Sequence, residues 1–201
     1  MKKIKIAAMM ILLIGMSISC TEGFEELNDN PNLISEVSPG TLLNPIIYGI
    51  ASHNATQSAD VTFNLMQVSL PFPSVTGGLH RYDVSNNIGN SAWNNYYKWL
   101  SNIREMRMAS VKAGDVNYEA VALTLNALVY ANLTDLFGPV PMTEATRGED
   151  GILYPKYDTQ EFIYETLLTD LERANMLYDV KKSMIYAEDI LFQNNVAKWK
   201  K

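Results

Sequence analysis

The chain has 201 residues, 47% of them apolar, and a formal net charge of −6 at pH 7. That apolar share supplies a packed core and excludes a disordered chain. The acidic balance repels phosphate backbones, which excludes nucleic acid as a partner.

The first segment is an address. Lys2, Lys3 and Lys5 form a basic head, residues 6–19 an apolar run, and Cys20 follows at once. The run is shorter than the ~20 residues a spanning helix needs, so residues 1–19 read as a secretory signal peptide, with a retained anchor as the alternative. Cys20 is the only cysteine, which rules out an intrachain disulfide and a Cys-rich metal site. A lone Cys after Ser17-Ile18-Ser19 resembles a bacterial lipobox, with Ser17 where Leu is usual, and makes Cys20 the expected lipidation site. Each buried acyl methylene adds about 0.8 kcal/mol to membrane affinity, so acyl chains on Cys20 would anchor an otherwise soluble body. Cleavage there removes three lysines and no acid, leaving 13 basic against 22 acidic residues and a net charge of −9.

Residues 20–37 read as an acidic tether. Glu22, Glu25 and Glu26 serve either as an export tag or as a solvated linker, and Asn30-Pro31-Asn32 is a turn signal. The body, 38–201, opens with Ser38 as a helix cap and Pro39 at the first helical position, followed by the stripe Leu42, Leu43, Ile46, Ile47 and Ile50. A short apolar segment over 61–70 stops before Pro71-Phe72-Pro73. Residues 71–90, with two Pro, three Gly and no helical period, predict a long loop. This loop carries His80, Arg81, Tyr82 and Asp83, suited to hydrogen-bonding and stacking on a ligand or simply to solvation.

From Ser91 the helical period is strong. Trp93, Tyr96, Tyr97, Leu100, Ile103, Met106 and Val111 share a face that Gly114 ends, and a partner helix over 118–136 buries Val121, Leu125, Leu128, Leu133 and Leu136. The short link predicts an antiparallel hairpin. Trp93, with Tyr96 and Tyr97, has core spacing, which competes with a role as a sugar platform. In ANLTDLFGPVPMTEA, Gly138 is expected to cap the helix in the left-handed conformation, and Pro139 and Pro141 redirect the chain. Asp158 and Glu161 resemble a capping box for another helix, with Ile163, Leu167, Leu171, Ala174 and Tyr178 as its buried stripe. A last helix is expected near Ala187-Glu188-Asp189, carrying Ile190, Phe192, Val196 and Trp199. It has no stop signal before Lys201, so the sequence reads as truncated at its C-terminus.

Enzyme chemistry finds little support. The only histidines are His53 and His80, and HExxH, G-x-S-x-G, P-loop and G-x-G-x-x-G patterns are all missing from the sequence. Glu165, Asp170 and Glu172 fit a charged helix face better than a glycosidase carboxylate pair. No catalytic residue, cofactor or metal is expected.

Three stretches together resemble the SusD/RagB family. They are CTEGFEELN with Asn30-Pro31-Asn32, the helix-ending DLFGPVP, and YPKYDTQ leading into Tyr164 and Asp170-Leu171; Asp189-Ile190-Leu191-Phe192 with Trp199 is similar to the next landmark. The resemblance implies an all-α, TPR-like helical-repeat fold with long loops and little strand, here its N-terminal portion. It also implies an outer-membrane lipoprotein of Bacteroidetes, anchored at Cys20 and facing the cell surface. Such a protein binds glycans or other nutrient oligomers without cleaving them and delivers them to a SusC-like TonB-dependent transporter. His80, Tyr82 and Trp93 are then the candidate ligand contacts. The alternative is a TPR-like scaffold lipoprotein that binds protein only and needs no small-ligand pocket.

Overall fold

A computed structural model of the chain describes residues 37–73, 76–186 and 188–201. The signal segment 1–19, Cys20 and the tether up to residue 36 lie outside the described residues, so the readings made on them rest on the sequence alone. Residues 37–201 form one compact unit. Its described part is all-α, with a single isolated antiparallel bridge between Val140 and Asp158.

Helix α1 spans Pro39–Gln57. Pro39 occupies the first turn, where its missing N–H costs nothing, but Ser38 makes no side-chain cap and bonds the Thr41 hydroxyl instead at 2.8 Å. Leu43, Ile46, Ile47, Ile50 and His53 form the buried stripe. Past Gln57 the chain continues as a π-helical turn, Ser58–Thr62, and a single α turn, Phe63–Leu65. The apolar segment expected over 61–70 is therefore only partly helical. Most of its large side chains stay outside the core, with Met66 at 68% and Leu70 at 64% exposure.

Helix α2, Asn90–Ala113, ends as the sequence predicts at Gly114, whose φ of +69° and ψ of +23° place it in the left-handed region. Tyr96, Leu100, Ile103 and Met106 are buried, whereas Val111 is 57% exposed. Helix α3, Val116–Phe137, starts two residues earlier than expected because Asp115 accepts the Tyr118 N–H and sets the cap. It is buried nearly all round, as a central helix must be. Leu128 and Leu136, expected in the core, are nonetheless 47% and 48% exposed, because they lie on the strip that neither neighbour covers.

Gly138 has φ +72° and ψ −126°, a positive-φ conformation outside the left-handed helical region, so it ends α3 without the expected cap geometry. Thr134 closes that end by donating to the Gly138 carbonyl at 2.7 Å. Val140 then runs extended and accepts the Asp158 N–H at 3.1 Å.

Helix α4 spans Gln160–Leu177. Its cap is Thr159, which accepts the Phe162 N–H, and not Asp158. The Asp158 carboxylate instead accepts the N–H groups of Met142 and Thr143 at 2.9 and 2.8 Å, fixing the connector. Ile163, Leu167, Ala174 and Tyr178 are buried, while Leu171 is 41% exposed. Of the last expected helix only Val196–Trp199 forms, and Ile190 is 58% exposed. Asp189 binds the backbone N–H groups of Leu191, Phe192 and Asn194, which holds this stretch as a turn.

The helices pack in chain order, each antiparallel to the one before. Tyr96 near the start of α2 meets His53 and Asn54 near the end of α1. Trp93 meets Phe137 at the end of α3. The α3–α4 pairing is read from Gln160 on Thr134 at one end and Thr124 on Tyr178 toward the other. Burying side chains such as Tyr118, Leu123 and Ile163 contributes about 1.5–3 kcal/mol each, against the entropy of ordering the chain.

Candidate functional site

The redirected connector brings aromatic rings together at one end of the helical layer. Trp93, in the first turn of α2, lies half-buried with its ring 4.9 Å from Tyr97, 5.3 Å edge-on from Phe137 and 6.2 Å from Tyr157 at an interplanar angle of 28°. Tyr97 donates its hydroxyl to the Pro141 carbonyl at 2.7 Å, which locks the base of the cluster to the connector. Burial is the main cause that drives the Tyr97 hydroxyl well above the ordinary tyrosine range, so it stays a neutral donor.

The outer side of the cluster is open. Tyr157 is 64% exposed and Tyr154, three residues before it, 92% exposed. Pro155 between them restricts the backbone of Tyr154, and the Lys156 N–H donates to Glu144 at 2.9 Å. Aromatic faces supported from behind and wet in front are suited to stacking on the apolar face of a sugar ring.

The three residues singled out from the sequence fall in two places. Trp93 belongs to this cluster. His80 and Tyr82 sit on the 71–90 loop, in and just after a short 3-10 turn, Leu79–Arg81. Gln67 pins that turn by donating to the His80 carbonyl at 2.9 Å, and Asp83 accepts the Gly78 N–H at 3.4 Å. Tyr82 holds φ +60° in the left-handed region, a strained setting for a tyrosine, and its side chain is 62% exposed. The loop returns to the cluster at Gly89, where a Cβ would lie 2.7 Å from the Phe137 ring. Phe137, Tyr154 and Tyr157 were not singled out from the sequence as contacts. Their available signal was the pair of tyrosines flanking a Pro-Lys turn, read there as a family landmark.

Glu165 and Glu172 are exposed on α4 and Asp170 is partly buried, with the two glutamates and the aspartate along one helix. Among the described residues no three His, Cys, Asp or Glu side chains are grouped so as to hold a metal ion.

Known proteins place this fold. Among curated proteins nothing matches the chain. Solved structures do. A SusD homolog from Bacteroides fragilis superimposes with a TM-score of 0.64 at 24% identity, over 82% of this chain and 34% of its own. A chitin-binding protein gives 0.64 at 23% identity over 82% and 36%. A SusD/RagB family protein from Bacteroides thetaiotaomicron gives 0.59 at 22% over 83% and 36%. The chain thus spans about a third of the length of the structures it matches, and the likeness at these identities establishes the fold. The model of the SusD-like family described as starch-binding and associating with the outer membrane matches residues 31–201. With a family model covering most of its length, and the all-α fold of the solved homologs, the chain belongs to the SusD-like family.

Proposed function

We propose that this chain contributes to glycan capture at the outer membrane, and that the protein hands its ligand to a SusC-like TonB-dependent transporter. Family membership supports the glycan class, since the family is described as starch-binding and a structural neighbour is a chitin-binding protein. The observation that carries the reading is the open aromatic cluster of Trp93 and Tyr157, beside exposed Tyr154. Tyr82 and His80 supply a second, polar contact from the loop. Cys20, once lipidated, anchors the protein in the outer membrane with its body toward the cell surface. No bond is broken in this function: sugar rings stack on aromatic faces, and hydroxyls bond to loop side chains.

Isothermal titration with soluble starch and with chitin oligosaccharides tests the binding step. One of the two is expected to bind, and Trp93→Ala should weaken it about tenfold, ~1.4 kcal/mol. Absence of binding to both, or an unchanged affinity in the variant, would overturn the glycan reading. Delivery is tested by pull-down from detergent-solubilised outer membranes, where a large β-barrel should co-purify and the Cys20→Ala protein should leave the membrane fraction.

A further inference from the structure

The two rings that carry the open cluster come from distant segments and are held in different ways. Trp93 is fixed by its place in the first turn of α2 and by the edge of Phe137 at 5.3 Å. Tyr157 lies outside any helix, between Pro155 and the cap of α4, is mostly exposed, and meets Trp93 at 6.2 Å. So exposed a side chain gains little from burial, and its position depends on how firmly its backbone is placed.

That placement is made at the next residue. Asp158 donates its N–H to the Val140 carbonyl at 3.1 Å, and one oxygen of its carboxylate accepts the N–H groups of Met142 and Thr143 at 2.9 and 2.8 Å. The Thr143 hydroxyl lies 3.1 Å from each carboxylate oxygen and donates to the group. Hydrogen bonds to a carboxylate are roughly twice as strong as neutral ones, so this partly buried side chain clamps the connector. The connector is tied in turn to the other ring. Its Pro141 carbonyl accepts the Tyr97 hydroxyl at 2.7 Å, and Tyr97, one helical turn after Trp93, has its ring 4.9 Å from it. A continuous path of contacts therefore runs from Tyr157 through Asp158, the connector and Tyr97 to Trp93. The Asp158 carboxylate is also free of capping duty, since Thr159 caps α4 by accepting the Phe162 N–H.

We propose that Asp158 is a positioning residue for the glycan surface: it sets the separation and tilt of Tyr157 against Trp93 and touches no sugar itself, an assignment that rests on the glycan-binding reading above. Rings held at a fixed spacing before the ligand arrives spare the cost of ordering them on binding. Loss of the clamp should therefore act on affinity through Tyr157, with the helices left in place.

The test compares Asp158→Ala and Asp158→Asn with the parent, alone and combined with Tyr157→Ala. Nuclear Overhauser contacts between the Tyr157 and Trp93 rings should be present in the parent, lost in Asp158→Ala, and largely restored in Asp158→Asn, whose amide oxygen can still accept both N–H groups. Titration with soluble starch and chitin oligosaccharides should show affinity falling about fivefold to tenfold in Asp158→Ala, with the far-UV circular dichroism unchanged. In the Tyr157→Ala background the same change should cost no further affinity, which a general loosening of the fold would not reproduce. Should Asp158→Ala fail to fold, Asp158→Glu replaces it: the added methylene displaces residue 158 from the connector and moves Tyr157 with it. Intact ring contacts in a folded Asp158→Ala or Asp158→Glu protein would overturn the proposal, as would an equal loss of affinity with and without Tyr157. A parent that binds neither glycan would overturn the glycan reading instead, while the ring contacts would still decide whether Asp158 places Tyr157.

Discussion

Two tryptophans, one in the first turn of α2 and one near the end of the described chain, make similar ring contacts for different purposes. Trp199 is 7% exposed, packs edge-on to Phe192 at 5.1 Å, and donates its indole N–H to Asp189 at 3.2 Å. Its polar handle is satisfied and its faces are covered, so it is core. Trp93 has as many ring partners and more, yet one of them, Tyr157, is 64% exposed and continues the cluster into solvent. Ring contacts alone do not separate the two; water at the partner ring does. The third tryptophan, Trp99, is intermediate, pressed against Gly49 with a lysine over its ring at 4.9 Å.

The closed cluster should break most severely. Asp189, 1% exposed, accepts the N–H groups of Leu191, Phe192 and Asn194 as well as the Trp199 indole. Asp189→Ala removes the acceptor of the buried Trp199 indole N–H and of three partly buried backbone N–H groups, a loss of about 2–3 kcal/mol. Urea unfolding followed by tryptophan fluorescence should show it, and Asp189→Asn, which keeps an acceptor oxygen but not the charge, should recover part of the loss. A variant as stable as the parent would mean that this turn contributes little to the fold.

Next in size is the approach of α1 to α2. A Cβ at Gly49 would lie 1.9 Å from the Trp99 ring, too close without backbone or ring displacement. Gly49→Ala should cost about 1–3 kcal/mol by overpacking. A shift in tryptophan emission would accompany it as Trp99 is pushed toward solvent, and Trp99→Leu in the same chain should relieve most of the cost.

The helices were legible because their periods are strong. Tyr96, Leu100, Ile103 and Met106 are buried as their spacing demands, and Gly114 ends α2 as a left-handed glycine. The errors arise where a long-range partner outranks a local signal. Asp158 stands where a cap belongs, but the N–H groups of Met142 and Thr143 claim its carboxylate and Thr159 caps α4 instead. Residues 189–195 have apolar helical spacing, yet Asp189 draws three nearby N–H groups into a turn. For Leu128, Leu136 and Leu171 the period is right in kind and too wide in extent, because burial depends on where neighbouring helices stop. Trp93 was legible as an aromatic candidate, but its neighbours Phe137 and Tyr157 were not, since contacts 44 and more positions away in sequence leave no local periodicity.

His53 offers a smaller, pH-dependent effect. Its ring is 7% exposed, lies edge-on to Tyr96 at 4.8 Å, and leaves Nε2 buried without a hydrogen-bond partner. Burial lowers its pKa below 6.5, so the folded state resists protonation more than the unfolded one. The resulting stability is fully present above about pH 6.5 and falls as pH drops toward the folded-state pKa, with a slope no steeper than about 1.4 kcal/mol per pH unit. Comparing the parent with His53→Gln over pH 5–8 isolates this contribution, and parallel stability curves would show that the ring finds a partner on protonation.

The smallest effect on stability should come from the open cluster, and there lies its diagnostic value. Tyr157 is 64% exposed and makes its ring contact with Trp93 at the surface, so Tyr157→Ala should change stability by about 0.5 kcal/mol or less. The same substitution removes the outermost face of the aromatic surface, so glycan affinity should fall about tenfold while the thermal midpoint hardly moves. Tyr157→Phe keeps the ring and should retain most of the affinity if stacking dominates. If Tyr157→Ala lowered stability as much as a core truncation, the ring would belong with Trp199 as packing; if it left both stability and affinity unchanged, the ligand would contact the chain elsewhere. Only the split, affinity lost and stability kept, marks Trp93 and Tyr157 as a surface built to hold a sugar.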